Sequence, residues 1–195
     1  MKKIFLPNEE FGKIIPNLKI NGKDAPYPVI NDRAVRATAG LMLFVGVFTF
    51  FYTFSTWDFT LLKIVLPTFF LDFLIKVFQG SKYSIYGFFG RAFVSNQKPE
   101  YVGTIQKRFA WSIGLTVSSL MMILIFVLKM ETIVPLLLCA LCLFMMWLES
   151  TMGICVGCHI YNSLIKIGLV KRPKFHPACP GGVCDTEDVE LIEMH

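Results

Sequence analysis

Cys155-Val156-Gly157-Cys158-His159 follows directly on a long apolar run, and a second pair of thiols, Cys179 and Cys184, flanks Pro180-Gly181-Gly182 just downstream. Thiolates attack disulfides, carry sulfur and bind soft metals, so two closely spaced pairs mark the place for chemistry. Cys155 and Cys158 are three apart. On a helix continued from the preceding run, both project onto nearly one face, with His159 one turn beyond Cys155. His159 is then placed to stabilise a thiolate in a helix C-terminal region, where the dipole opposes negative sulfur. The turn-forming Pro180-Gly181-Gly182 can fold Cys179 and Cys184 together. A relay needs two such pairs, one near the membrane and one exposed to a partner.

The same four sulfurs, Cys155, Cys158, Cys179 and Cys184, could instead hold one Zn²⁺, with His159 and His176 as spare ligands. Redox work is favoured over zinc because the first pair lies on a helix and not in a zinc-knuckle turn. The C-x-x-C-H string is also the pattern of c-type haem attachment. That reading is set aside, since haem is attached on the outer side and the charge distribution puts this motif inside. Cys139 and Cys142 lie within an apolar span, on the face that carries Glu149, and read as small packing residues.

Charges within spans are functional candidates by default. Asp72 lies roughly 10 Å inside the inner end of its helix at 1.5 Å per residue. Lys76 is one turn later, so a neutralising pair is expected. Glu149 stands where the last span reaches the inner interface, within range of Arg33, Arg36 or Arg108, and a bundle-facing ion pair is expected there ahead of a proton relay, whose members would be Asp72 and Glu149. Lys63 is expected to snorkel outward.

The elements that must position these residues follow from composition. The chain has 195 residues, 54% of them hydrophobic, and a mean hydropathy of +0.58. That is too apolar for a soluble core of this size. Four runs approach the roughly 20 residues that cross a bilayer: 34–54, 59–78, 109–128 and 133–148, the last continuing in helical style through Ile154. Of the 19 Lys and Arg, all but Lys63 and Lys129 fall on one side of these runs. By the positive-inside rule both termini are then cytoplasmic, in a multi-pass protein of the bacterial inner membrane. The net charge of +5 is read as contact with anionic lipid, with no nucleic-acid role.

The expected fold is an all-α, antiparallel four-helix transmembrane bundle. Residues 1–32 form a cytoplasmic N-terminal segment, 33–170 the four-span domain and 171–195 a cysteine-containing tail. Asn21-Gly22 predicts a small hairpin, and Asn31 or Asp32 an N-cap for the first span. Residues 83–94, mixing Tyr, Phe, Gly and Arg91, are expected to lie along the inner membrane surface.

Asn31-Asp32-Arg33-Ala34-Val35-Arg36, Leu71-Asp72-Phe73, Arg108-Phe109-Ala110 with Ile113-Gly114, Leu148-Glu149 and the string from Gly153 to Tyr161 together resemble a bacterial integral membrane family, domain of unknown function 4395. The resemblance spans about residues 30 to 165, and G-x-C-x-G-C-x-x-Y is its most specific element. It implies a membrane protein, in some members linked to thioredoxin-like or rhodanese-like modules, and so favours thiol or sulfur handling by association. A looser likeness exists to four-helix quinone-linked disulfide enzymes. Those work on the outer side, which stands against quinone use here. The commitment is a membrane thiol-redox or sulfur-relay protein acting through Cys155, Cys158, Cys179 and Cys184. One rival is a transporter or channel for a small sulfur species, acting as a homodimer and using Asp72, Glu149 and the span cysteines. The other is a non-enzymatic scaffold with a zinc-binding tail.

Overall fold

Short polar stretches fix where the long helices begin. A computed structural model describes residues 12–16, 18–20, 23–25 and 27–169, with backbone alone at 19, 20, 23 and 24. Strand β1 (Lys19–Ile20) pairs antiparallel with β2 (Lys23–Asp24), Ile20 opposite Lys23, which is the hairpin expected around Asn21-Gly22. A second pair was not anticipated. Strand β3 (Val29–Asn31) pairs antiparallel with β4 (Tyr101–Gly103), Val29 opposite Gly103. The all-α expectation is corrected to that extent; three-residue strands are too short to leave a period-2 signal.

The β3–β4 pair has a consequence for the helices. Helix α1 (Asp32–Thr56) starts directly after β3, with the Asn31 side chain accepting from the Arg33 backbone N–H as its N-cap. Helix α4 (Thr104–Met122) starts directly after β4, and Thr104 donates from both its backbone N–H and its hydroxyl to the Pro28 carbonyl. Asp32 and Thr104, far apart in sequence, thus begin their helices side by side.

After α1 the chain turns at Trp57, whose φ of 55° breaks the helix, into α2 (Thr60–Phe78). The connection back includes a 3-10 turn at Ser81–Tyr83 and the short α3 (Ile85–Phe93). Helix α4 continues as a π-helical turn, Ile123–Val127, and α5 (Ile133–Met152) returns. The last helix, α6 (Val156–Lys166), is described below.

Two apolar clusters give the helix directions. Phe59, Leu62, Leu66, Met121, Ile125 and Leu136 join the start of α2, the end of α4 and the start of α5. Val35, Val77 and Trp111 join the start of α1, the end of α2 and the start of α4. The four long helices therefore alternate in direction.

The outer surface is apolar and parts of the interior are charged. Phe44, Phe48, Phe51, Ile64 and Leu137 are exposed, whereas Asp72, Lys76, Gln106, Lys107 and Arg108 are buried. This inversion is what a lipid-facing surface requires. Three helical segments, Asp32–Thr56, Thr104–Val127 and Ile133–Met152, are long and apolar enough to cross a membrane. Helix α2 has comparable length but carries Lys63, Asp72 and Lys76.

Candidate functional site

The point at which α5 ends decides the site. Gly153 takes the left-handed conformation, φ 68°, and its N–H and that of Ile154 both close on the Leu148 carbonyl. Glycine alone adopts this geometry without steric cost, and the helix stops there. Cys155 is in extended conformation and is the N-cap of α6. The expectation that the preceding helix runs on through Ile154 is corrected. Cys155 and Cys158 stand at a helix N-terminus, where the backbone N–H groups and the dipole favour negative sulfur.

Helix α6 packs on the first turns of α4. A Cβ on Gly157 would lie 2.5 Å from the Ala110 Cβ, so only glycine permits this approach. Tyr161 is buried with its ring centroid 5.3 Å from that of Phe109, and Gln106 donates to the Asn162 side-chain carbonyl at 3.1 Å. The residues of the string from Gly153 to Tyr161 thereby gain separate physical roles. Gly153 ends a helix, Gly157 allows contact, Tyr161 packs and the cysteines meet.

Both thiols are free, and Cys158 donates to the Cys155 sulfur across 2.6 Å. A disulfide bond is about 2.05 Å long, so little movement separates the pair from closure. The two residues are 3% and 1% exposed. The hydrogen bond to Cys155 and then burial push the Cys158 thiol well above its ordinary range, with Glu149 adding to the effect and Lys107 opposing it.

Lys107, not a pocket of solvent, holds the charge here. Its ammonium lies 2.8 Å from Asp32 Oδ1 and 2.9 Å from Glu149 Oε1, and it interacts electrostatically with both Cys155 and Cys158. Two carboxylates, one from α1 and one from α5, therefore hold one buried cation from α4. In the sequence Lys107 is one of the many basic residues on one side of the apolar runs, and Asp32 is a cap candidate. The usable signal was Gln106-Lys107-Arg108, three polar residues opening an apolar helix.

The expected partners of Glu149 are corrected accordingly. Arg33 binds Glu100, Arg108 donates to the Val77 carbonyl, and the Arg36 guanidinium lies against Gly153. His159 is exposed while both sulfurs are buried, so it does not join them. One step along a helix of 3.6 residues per turn carries it off the Cys158 face.

Asp72 and Lys76 form the expected pair, Nζ to Oδ2 2.5 Å, both buried. Asp72 also accepts from the Ser84 hydroxyl at 2.5 Å and the Tyr86 N–H at 3.3 Å. Ser84 is the N-cap of α3, so this pair anchors that helix. Exposed Ile85, Phe88, Phe89 and Phe93 lie on α3. Lys63, expected to snorkel outward, pairs with exposed Glu131. Cys139 and Cys142 are partly buried, and Cys139 packs on the apolar cluster of Leu66 and Met121.

A cavity of about 170 Å³ lies among α1, α2, α3, α4 and α5, with Lys76, Arg91, Trp111 and Glu149 in its wall. Cys179, Cys184 and His176 lie outside the described residues. Among the described residues, no three of His, Cys, Asp and Glu converge as a metal site requires.

Residues 30–166 match the family described as Domain of unknown function (DUF4395), and the chain belongs to that family. Neither the curated proteins nor the solved structures contain a match.

Proposed function

We propose that this member of the DUF4395 family is a four-span protein of the bacterial inner membrane, with both termini cytoplasmic, whose Cys155/Cys158 pair is a redox-active dithiol. The observation that carries this reading is the two sulfurs 2.6 Å apart at the N-terminus of α6, beside the buried Lys107. A helix N-terminus and a nearby cation are the surroundings in which thiols become nucleophiles. The side assignment rests on the basic residues at the end of the bundle that carries the site.

In the proposed reaction Cys155 is the attacking sulfur, since it caps the helix and accepts the Cys158 hydrogen bond. Its thiolate attacks a disulfide on a thioredoxin-like partner, forming a mixed disulfide and releasing one partner thiolate. Cys158 then attacks the Cys155 sulfur, closing the intrachain disulfide and releasing the second partner thiol. Two electrons pass to the partner, and two protons leave the pair. With a persulfide on a rhodanese-like partner, the same attack moves one sulfur atom to Cys155. Cys179 and Cys184, entering as a dithiol, would reduce the Cys155–Cys158 disulfide by exchange and become a disulfide themselves, or would take the persulfide sulfur onward. Burial of both sulfurs means that a protein partner must displace α6 from Ala110 and Phe109 to reach them.

Alkylation mass spectrometry across a redox titration tests the reading. The expected result is a reversible Cys155–Cys158 disulfide that is lost in C155S and in C158S. If the two residues stay as thiols at every potential, and neither pairs with Cys179 or Cys184, there is no dithiol function.

A further inference from the structure

Charges drawn into a membrane protein are paired as a rule. Three charged side chains border the 170 Å³ cavity: Lys76 of α2, Arg91 of α3 and Glu149 of α5. Two of them have a partner of opposite charge, Lys76 in Asp72 and Glu149 in Lys107. Arg91, half-buried, has no carboxylate partner among the described residues. Its guanidinium donates instead to the Ser81 and Lys82 carbonyls, each at 2.8 Å. Those bonds hold the group in place. They use two of the five N–H donors of a guanidinium and leave three unused.

The depth of α3 says where an acceptor for them comes from. Its N-cap Ser84 and the Tyr86 N–H both donate to Asp72, which lies about 10 Å inside the Phe78 end of α2 at 1.5 Å per residue. Gly90 sits against Thr38 and the Ala34 carbonyl in the first two turns of α1, where a Cβ would collide. Helix α3 is therefore held a short way inside the ends of α1 and α2, at the depth of about 5–10 Å to which an interfacial helix sinks its apolar face. Ile85, Phe88, Phe89 and Phe93 are exposed there, as is Phe78 at the end of α2. Phe88 and Arg91 are three apart on one helix, so the cation adjoins this apolar face. Lys82, in the turn before α3, is exposed, with its ammonium 5.9 Å from the Tyr83 ring centroid.

We propose that Arg91, with Lys82 in the adjoining turn, binds the phosphate of an anionic phospholipid whose acyl chains lie along the exposed face of α3. A guanidinium fork matches phosphate oxygens in geometry as well as charge. The cavity beside Arg91 has room for part of a headgroup, being slightly larger than the cavity of about 150 Å³ that takes benzene. Asn31, Thr38 and Ser81 in its wall suit the hydroxyls of a neutral polyol. Two cations against one carboxylate in that wall favour a headgroup with net negative charge. The site needs the bilayer reading but not the dithiol.

The full-length protein is first floated with liposomes of phosphatidylglycerol and of phosphatidylethanolamine, both with dioleoyl chains. It is then placed in detergent with the two lipids at equal concentration, and bound lipid is counted by native mass spectrometry. The expected result is flotation with both and retention of phosphatidylglycerol in preference. R91Q lowers that preference about fivefold, the share one basic residue contributes at an anionic membrane surface. K98Q, which removes the same charge from the loop after α3 but not from the cavity wall, leaves it unchanged. Should R91Q fold poorly, phosphatidylglycerol with a diazirine on its acyl chain is photolysed on the native protein, and the labelled peptide is expected to be α3. Equal retention of the two lipids, a preference for the ethanolamine lipid, a preference that survives R91Q, or equal loss in R91Q and K98Q overturns the site. So does displacement of the lipid by excess inorganic phosphate, a lipid-free dimer, or photolabel spread evenly over the exposed helices. Each of these leaves the dithiol standing. A chain that floats with neither lipid removes the bilayer reading and the site together.

Discussion

Lys107 is the residue on which the site turns, and its removal separates electrostatics from packing. K107M leaves Asp32 and Glu149 facing each other without a cation, and a broken buried pair costs about 3–5 kcal/mol. The expected outcome is a large drop in the unfolding temperature of the purified protein, largely recovered in K107M/D32N/E149Q; no recovery would mean that Lys107 acts through its packing. Cys158 makes a second prediction. Its folded thiol is held above the ordinary range, while in an unfolded chain a thiol ionises near about 8.5. Above that pH the unfolded state has lost a proton that the folded state retains, so the contribution of Cys158 is intact below about 8.5 and declines as pH rises beyond it. Unfolding temperature measured against pH should fall in the alkaline range for the native protein and fall less in C158S. Cys155 and Cys158 themselves were legible in the sequence, because thiol pairs at short spacing have few bland explanations. Asp32 and Lys107 were not, because they lie on different helices with two others between them along the chain.

At the scale of elements, the break between α5 and α6 converts an expected helix end into a helix start. Gly153 makes that break through its left-handed backbone, and Gly157 brings the new helix onto α4. G157A puts a methyl group 2.5 Å from the Ala110 Cβ, and overpacking of that kind costs about 1–3 kcal/mol. The expected outcome is faster alkylation of Cys155 and Cys158 by maleimide, as α6 lifts from α4, with A110G restoring protection in the double variant. Unchanged labelling would detach the glycine from access to the sulfurs. The glycines were visible in the sequence as places where a helix could thin or break. Which of the two would break it depends on whether Ala110 lies opposite, and that is a fact of packing between helices.

The whole molecule exposes an apolar surface and buries charge among its apolar clusters, with both buried charge clusters at the end from which α1 and α4 start. That end is expected to face the cytoplasm. Single cysteines placed at Asn96 and at Met130, in a background lacking the native six, should be labelled by an impermeant maleimide from opposite sides of the membrane, Met130 from outside. Labelling of both from one side would overturn the four-span arrangement. Length and hydropathy by themselves determined that the chain is a helical membrane protein, and spacing alone picked out the paired cysteines that follow its last apolar run. These properties survive any rearrangement of the helices, since each belongs to a local stretch of chain. The tertiary structure alone decided that Lys107 answers Glu149, that His159 stands apart and that the sulfurs are covered. A three-residue strand pair sets α1 beside α4, and one left-handed glycine turns α6 back on them; contacts of that kind are made between segments that carry no record of each other in their own residues.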